Sequence, residues 1–194
     1  LHRYSSVDTY AASKLRIFEN QQPSDLAVLN GSNPLVRSLT APLKITKLYY
    51  GSLNSEELGA VNNGTRIRFH FKESKQQDNK GSLTHLASCD QRFLDVSDFN
   101  LIGRHNMENA AAAALAALAA GAAPDTVQEA LNRYQGAAHR LEHIDTLHGV
   151  DFFNDSKATN VDAVIRAVES FSKPVVLIMG GLDKGSNFKE LREI

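Results

Sequence analysis

The chain has 194 residues, 42% hydrophobic and 22% charged, which excludes disordered, collagen-like and coiled-coil classes and is enough to bury a core without disulfide staples. Lys and Arg total 21 against 22 Asp and Glu, a net charge of −1, so no global field draws the chain to nucleic acid or an anionic membrane, and a bound anion needs a local site. The single cysteine, Cys89, allows no intramolecular disulfide and fits a reducing compartment, and no apolar run reads as a membrane span or secretion signal.

The text opens at Leu1-His2-Arg3-Tyr4 without an initiator methionine, so a fragment of a longer protein is expected. Tyr10, Ala11, Lys14, Leu15 and Phe18 recur at helical spacing and predict a helix over 7–18. The continuous apolar run 26–29 predicts a buried strand, closed by the loop Asn30-Gly31-Ser32-Asn33-Pro34. Between Leu48 and Leu94 the alternation Arg66-Ile67-Arg68-Phe69-His70, preceded by the turn Asn62-Asn63-Gly64, predicts an antiparallel meander, with the polar stretch 72–81 as a loop. Residues 106–120 are nearly all alanine and leucine after the first turn and predict a helix capped by Gly121; a second helix is predicted over 124–134.

Beyond Gly136 the pattern becomes strand (150–153), helix (161–171) and strand (175–179), which predicts a βαβ unit of a parallel sheet. The expected fold class is therefore α/β, with two parts, 1–136 and 137–194, each needing more strands than it has to cover itself. No internal repeat is present.

Four clusters carry candidate chemistry. In 103–109, Asn106 and Asn109 stand three apart on one helix face, where their amides suit the edge of a flat heterocycle; alternatively Asn106 caps the helix. In His139-Arg140-Leu141-Glu142 the Arg140 guanidinium suits a phosphate or ribose, or else forms an ordinary Arg–Glu surface pair. In Asn154-Asp155-Ser156-Lys157-Ala158-Thr159-Asn160, between a strand and a helix, Asp155 suits a sugar hydroxyl and Lys157 and Thr159 a carboxylate or phosphate; the alternative is that Asp155 or Ser156 caps the helix. Gly180-Gly181-Leu182-Asp183-Lys184 follows the last apolar run and lacks the ending of a Walker A loop, leaving a glycine turn with one lysine.

Taken in order, Arg3-Tyr4, Tyr10, Lys14-Leu15-Arg16-Ile17-Phe18 and these four clusters resemble the Mur ligases over nearly the whole chain. The resemblance implies the later part of a central ATP-binding domain of mixed sheet and helices, over 1–136, followed by the start of a Rossmann-like carboxyl-terminal domain, over 137–194. Within the family the 154–160 loop is similar to that of ligases adding D-glutamate to UDP-N-acetylmuramoyl-L-alanine. It thus implies a cytoplasmic, monomeric parent enzyme of peptidoglycan precursor synthesis that forms an amide through an acyl phosphate, using ATP and Mg2+, with those two molecules as substrates.

By the same resemblance Lys14, Arg140 and Asp155 are the expected catalytic residues, Lys14 as a carbamate at a magnesium site. Asn106, Asn109, Arg140 and Asp155 are expected at ATP, and Lys157, Thr159 and Lys184 near the amino-acid and acyl-phosphate end. The family's phosphate loop, magnesium glutamate and metal histidine do not occur in this text, so the 194 residues alone are expected to be inactive. Two alternatives remain: another Mur ligase or folylpolyglutamate synthetase-like enzyme, separated by its amino-acid substrate, and a non-catalytic nucleotide-binding module, separated by whether the chain binds adenine nucleotide by itself.

Overall fold

The computed structural model describes residues 4–71, 93–99, 101–182, 187–192 and 194. The predicted loop over 72–81 and the candidate Lys184 lie outside them. Two compact units are present, one of residues 1–99 and 108–133, the other of 100–107 and 134–194.

In the first unit, helix α1 (Val7–Leu15) starts at a reciprocal cap: the Thr9 N–H donates to Ser6 Oγ and the Ser6 N–H to Thr9 Oγ1, both at 3.1 Å. A 3-10 turn, Arg16–Phe18, completes the helical stretch predicted over 7–18. Strand β1 (Leu26–Asn30) follows, then helix α2 (Pro34–Thr40), then β2 (Thr46–Tyr50), β3 (Leu58–Asn62), β4 (Arg66–His70) and β5 (Phe93–Asp95), in one sheet of order β1-β2-β3-β4-β5. β1, β2 and β3 are parallel, with Val28 opposite Leu48 and Leu48 opposite Leu58, whereas β3, β4 and β5 are antiparallel.

The meander predicted from Leu48 onward therefore holds for β3 to β5 and fails for β2. The departure lies in the connection 51–57, which returns the chain from the end of β2 to its starting end, so that β3 runs parallel to β2 and does not fold back against it. Asn33, read as part of a loop, is the α2 N-cap: its Oδ1 accepts from the Leu35 and Val36 N–H groups at 2.9 and 3.2 Å, and Pro34 occupies the helix's first turn.

On β4 the predicted alternation is realised, with Ile67 and Phe69 buried and Arg66, Arg68 and His70 exposed. Leu48, Ile67, Leu94, Leu115 and Leu118 are fully buried. The last two belong to α3 (Arg104–Ala119), which starts two residues before the predicted Asn106. Gly121, at φ +96°, ends it by donating its N–H to Leu118 O at 2.9 Å, and the Ala122 N–H donates to Ala117 O at 3.0 Å. From α4 (Pro124–Arg133) the Gln128 amide joins β5, accepting from the Asp95 N–H at 2.8 Å and donating to the Asp95 carbonyl at 2.7 Å. A side chain thus supplies backbone-like pairing to a strand edge.

In the second unit, β6 (Glu142–Leu147) and β7 (Val150–Asn154) form an antiparallel hairpin, and α5 (Val161–Val168) follows, capped by Asn160 Oδ1 accepting from the Ala163 N–H at 2.9 Å. The βαβ expectation is corrected here. β7 pairs with β6, and 175–179 forms no ladder among the described residues, with Val176 and Ile178 92% and 93% exposed. The two-residue turn His148-Gly149, at φ +51° and +80°, folds β6 directly back onto β7, so one edge of β7 is taken by an antiparallel neighbour. A 3-10 turn, Phe188–Arg192, lies near the end. No helix among the described residues is long and apolar enough to cross a membrane.

Candidate functional site

The register of the β6–β7 hairpin places two loops of the second unit side by side. Glu142 is opposite Asn154, so the residues entering β6 lie next to those leaving β7. Three hydrogen bonds tie them. The Leu141 N–H donates to Asp155 Oδ1 at 3.1 Å, the Lys157 N–H to the His139 carbonyl at 3.0 Å, and Asn154 Nδ2 to His139 Nδ1 at 2.8 Å.

Arg140 sits between His139 at φ +65° and Leu141 at φ +43°. Non-glycine residues in this left-handed region cost about 1 kcal/mol or more each, and such strain is held only where surrounding bonds over-determine it. Here the cross-loop bonds supply the restraint, and a further one comes from the His139 N–H donating to Glu142 Oε2 at 2.7 Å. That contact occupies Glu142, and among the described residues Arg140 forms no ion pair, which disfavours the Arg–Glu surface pair. Likewise α5 is capped by Asn160, so neither Asp155 nor Ser156 serves as its cap. Asp155 instead turns one carboxylate oxygen to the Leu141 N–H.

Arg140, Asp155 and Lys157 border a cavity of about 180 Å3, to which His105 and the α5 residue Arg166 also contribute. Three cationic residues against one carboxylate in the lining favour an anionic occupant. The volume suits a phosphate, carboxylate or sugar edge and is below that of a typical whole-ligand pocket.

The remaining candidates are distributed differently. Thr159 lies in the same loop, its N–H donating to the Lys157 carbonyl at 2.9 Å, and its side chain is exposed. Asn106 is in the first turn of α3 and is not its cap: it is buried, and its Nδ2 donates to the Ile102 carbonyl at 2.7 Å. Asn109, one turn on, is exposed. Lys14 is exposed in the last turn of α1, with Nζ 5.4 Å from the Tyr10 ring centroid.

Among the described residues no three His, Cys, Asp or Glu side chains come together as a cation site. Around Lys14, then, the described residues do not assemble a ready-made Mg2+ site. For a nucleotide the donor set fits better: Asp155 offers an acceptor to ribose hydroxyls, and Arg140 and Lys157 offer charge to phosphate. Sequence reasoning missed Arg166; the available signal was its place between Ala163 and Ala167 on one helix face.

An α/β protein with strained, cross-bonded loops around an anion-receptive cavity is the class these features define. The Mur ligase middle domain model matches residues 1–117, and the chain belongs to the Mur ligase family. The UDP-N-acetylmuramoylalanine--D-glutamate ligases of Koribacter versatilis (strain Ellin345) and Desulfatibacillum aliphaticivorans are 39% and 40% identical to it, over 100% of this chain and 40% of each relative. The chain thus spans about 40% of the length of the curated relatives it matches. A crystal structure of MurF from Acinetobacter baumannii shares the fold, with a TM-score of 0.65 at 18% identity over 88% of this chain and 34% of that one.

Proposed function

We propose that this chain is part of an ATP-dependent ligase that joins D-glutamate to UDP-N-acetylmuramoyl-L-alanine in the cytoplasm, with residues 1–136 from its ATP-binding domain and 137–194 from its carboxyl-terminal domain. The names of the relatives support the substrates, and the observation that carries the reading to residues is the cross-bonded loop pair holding Arg140, Asp155 and Lys157 around one cavity.

ATP supplies a transferable phosphoryl group that makes the substrate carboxylate electrophilic as an acyl phosphate; the amine then displaces phosphate to form the amide. In this reading Asp155 accepts from a ribose hydroxyl through its second oxygen while the first fixes the Leu141 N–H. Arg140 binds phosphate oxygens from a backbone position held by the strained residues on both sides, and its exposed side chain is ordered on binding. Lys157 and Thr159, together with Lys184, attend the carboxylate and acyl-phosphate end, Asn106 and Asn109 the adenine, and Lys14, as a carbamate, would offer oxygen ligands to Mg2+ supplied with the nucleotide.

The test is Asp155→Ala in the full-length protein, assayed for ATP-dependent consumption of D-glutamate. Loss of a hydrogen bond to a charged group predicts about a tenfold to hundredfold fall in kcat/KM for ATP, with a cooperative unfolding transition kept but lowered by about 1 kcal/mol for the lost bond from the Leu141 N–H. Unchanged ATP dependence would remove the assignment. Turnover with a different amino acid in place of D-glutamate would retain the ligase and reassign its substrate.

A further inference from the structure

Helix α5 brings one face to the cavity, carrying Ala163, Arg166 and Ala167, residues at the i, i+3 and i+4 spacing of neighbours on a helix surface. The two alanines end at Cβ and leave the space open, so the only long side chain on that face is the arginine. Two carboxylates are within helical reach of it, Asp162 at i−4 and Glu169 at i+3, and an acid four residues before a base is the favourable orientation for a pair. Yet among the described residues Arg166 forms no ion pair. Elsewhere such pairs do form, Arg133 with Glu129 at 2.7 Å and Arg16 with Glu19 at 3.3 Å.

We propose that Arg166 is a second guanidinium contact, beside Arg140, for a phosphate-type anion bound in this cavity. Two planar forks entering from separate elements, one on the 139–141 loop and one on α5, bind more oxygens of a polyphosphate than a single cation does. Lys157 adds a third positive charge, and Asp155 offsets only one of the three, so an anion of charge −2 balances the cavity. The inference rests on the reading that the cavity takes the phosphate part of a nucleotide, and it adds a residue on a different element from those that carry that reading.

The experiment titrates the full-length protein with ATP and, separately, with inorganic tripolyphosphate, comparing wild type with Arg166→Gln and Arg166→Lys by calorimetry. The expected result is about a tenfold loss of affinity for both probes in Arg166→Gln, partial recovery in Arg166→Lys, and a shallower salt dependence than wild type. The thermal transition stays in place, since the side chain is exposed. Affinities within twofold of wild type for both probes in Arg166→Gln would overturn the proposal, and so would a wild type that binds neither. Tripolyphosphate binding that weakens in Arg166→Gln, in a protein that does not bind ATP, would keep Arg166 as an anion contact and remove the nucleotide reading.

Discussion

At the scale of single residues the most heavily used side chain in the first unit is Arg37. Its Nη1 and Nη2 donate to the two Glu57 carboxylate oxygens at 2.6 and 2.9 Å, Nη2 also donates to the Ser52 carbonyl at 2.9 Å, Nε donates to the Gly31 carbonyl, and the guanidinium lies 4.6 Å from the Tyr49 ring centroid. One side chain thus joins α2, the end of β1 and the connection between β2 and β3. The side chains of Arg37 and Glu57 are only 25% and 19% exposed, so solvent screening is reduced. The Arg37 hydrogen bonds, helped by the Asn54 N–H, hold the Glu57 carboxyl below its ordinary value of 4.5. A carboxyl depressed by folding stabilises the native state fully above its unfolded value and loses that contribution as pH falls through the folded one. Urea unfolding from pH 7 down to pH 3 is therefore expected to show a loss of stability beginning near pH 4.5 that flattens in Glu57→Gln. Arg37→Met, which leaves Glu57 without its partner, is expected to cost about 2–3 kcal/mol at pH 7. An unchanged acid limb in Glu57→Gln would show that the pair contributes nothing to folding.

At the scale of elements, α5 separates a structural residue from a functional one. Asn160→Ala removes the acceptor for the Ala163 N–H and is expected to cost about 1 kcal/mol, read as a lowered melting temperature. Asp155→Ala, five residues earlier, leaves that cap intact. Asp155→Ala instead loses the bond from the Leu141 N–H, so the two losses are expected to add, and a double variant no less stable than Asn160→Ala would return Asp155 to a helix-capping role. The same contrast explains what the sequence made legible. α1, α4, the Gly121 stop of α3 and the alternation of β4 are local signals, each contained in one turn or one run of period two or 3.6. β6 was missed because only Ile144 and Leu147 are apolar in its six residues, and its register with β7 depends on left-handed backbone at His148, which periodicity does not report. The β2–β3 pair departs from the expected meander for a different reason: the connection 51–57 is as short as a hairpin loop, and nothing local in it reports that it carries the chain back to a parallel strand.

At the scale of the whole chain, the residue types of the site were legible, but the bonds that organise them were not. Arg140, Asp155 and Lys157 stand out as charged residues in loops, whereas the bond from Leu141 to Asp155 follows only from the β6–β7 register. The two units also differ in how they are covered. The first has a five-stranded sheet with Leu48, Ile67 and Leu94 fully buried. The second has a two-stranded hairpin on which Ile144, Leu147 and Val150 are more than half exposed, and a run, 175–179, in which Val176 and Ile178 are almost fully exposed. A two-stranded hairpin is marginal without a third layer, and contiguous apolar surface promotes association. Hydrogen exchange on the 194-residue chain by itself is therefore expected to show protected amides in β1–β4 and rapid exchange in β6 and β7, because their opening exposes little further apolar surface. In a protein of the relatives' length, of which this chain spans about 40%, β6 and β7 are expected to become protected and the loop pair at Asp155 to hold its geometry. Equal protection of both units in the isolated chain would mean that the cross-loop bonds from His139, Leu141 and Lys157 hold the site together without further cover, and nucleotide binding by the 194 residues would then be expected as well.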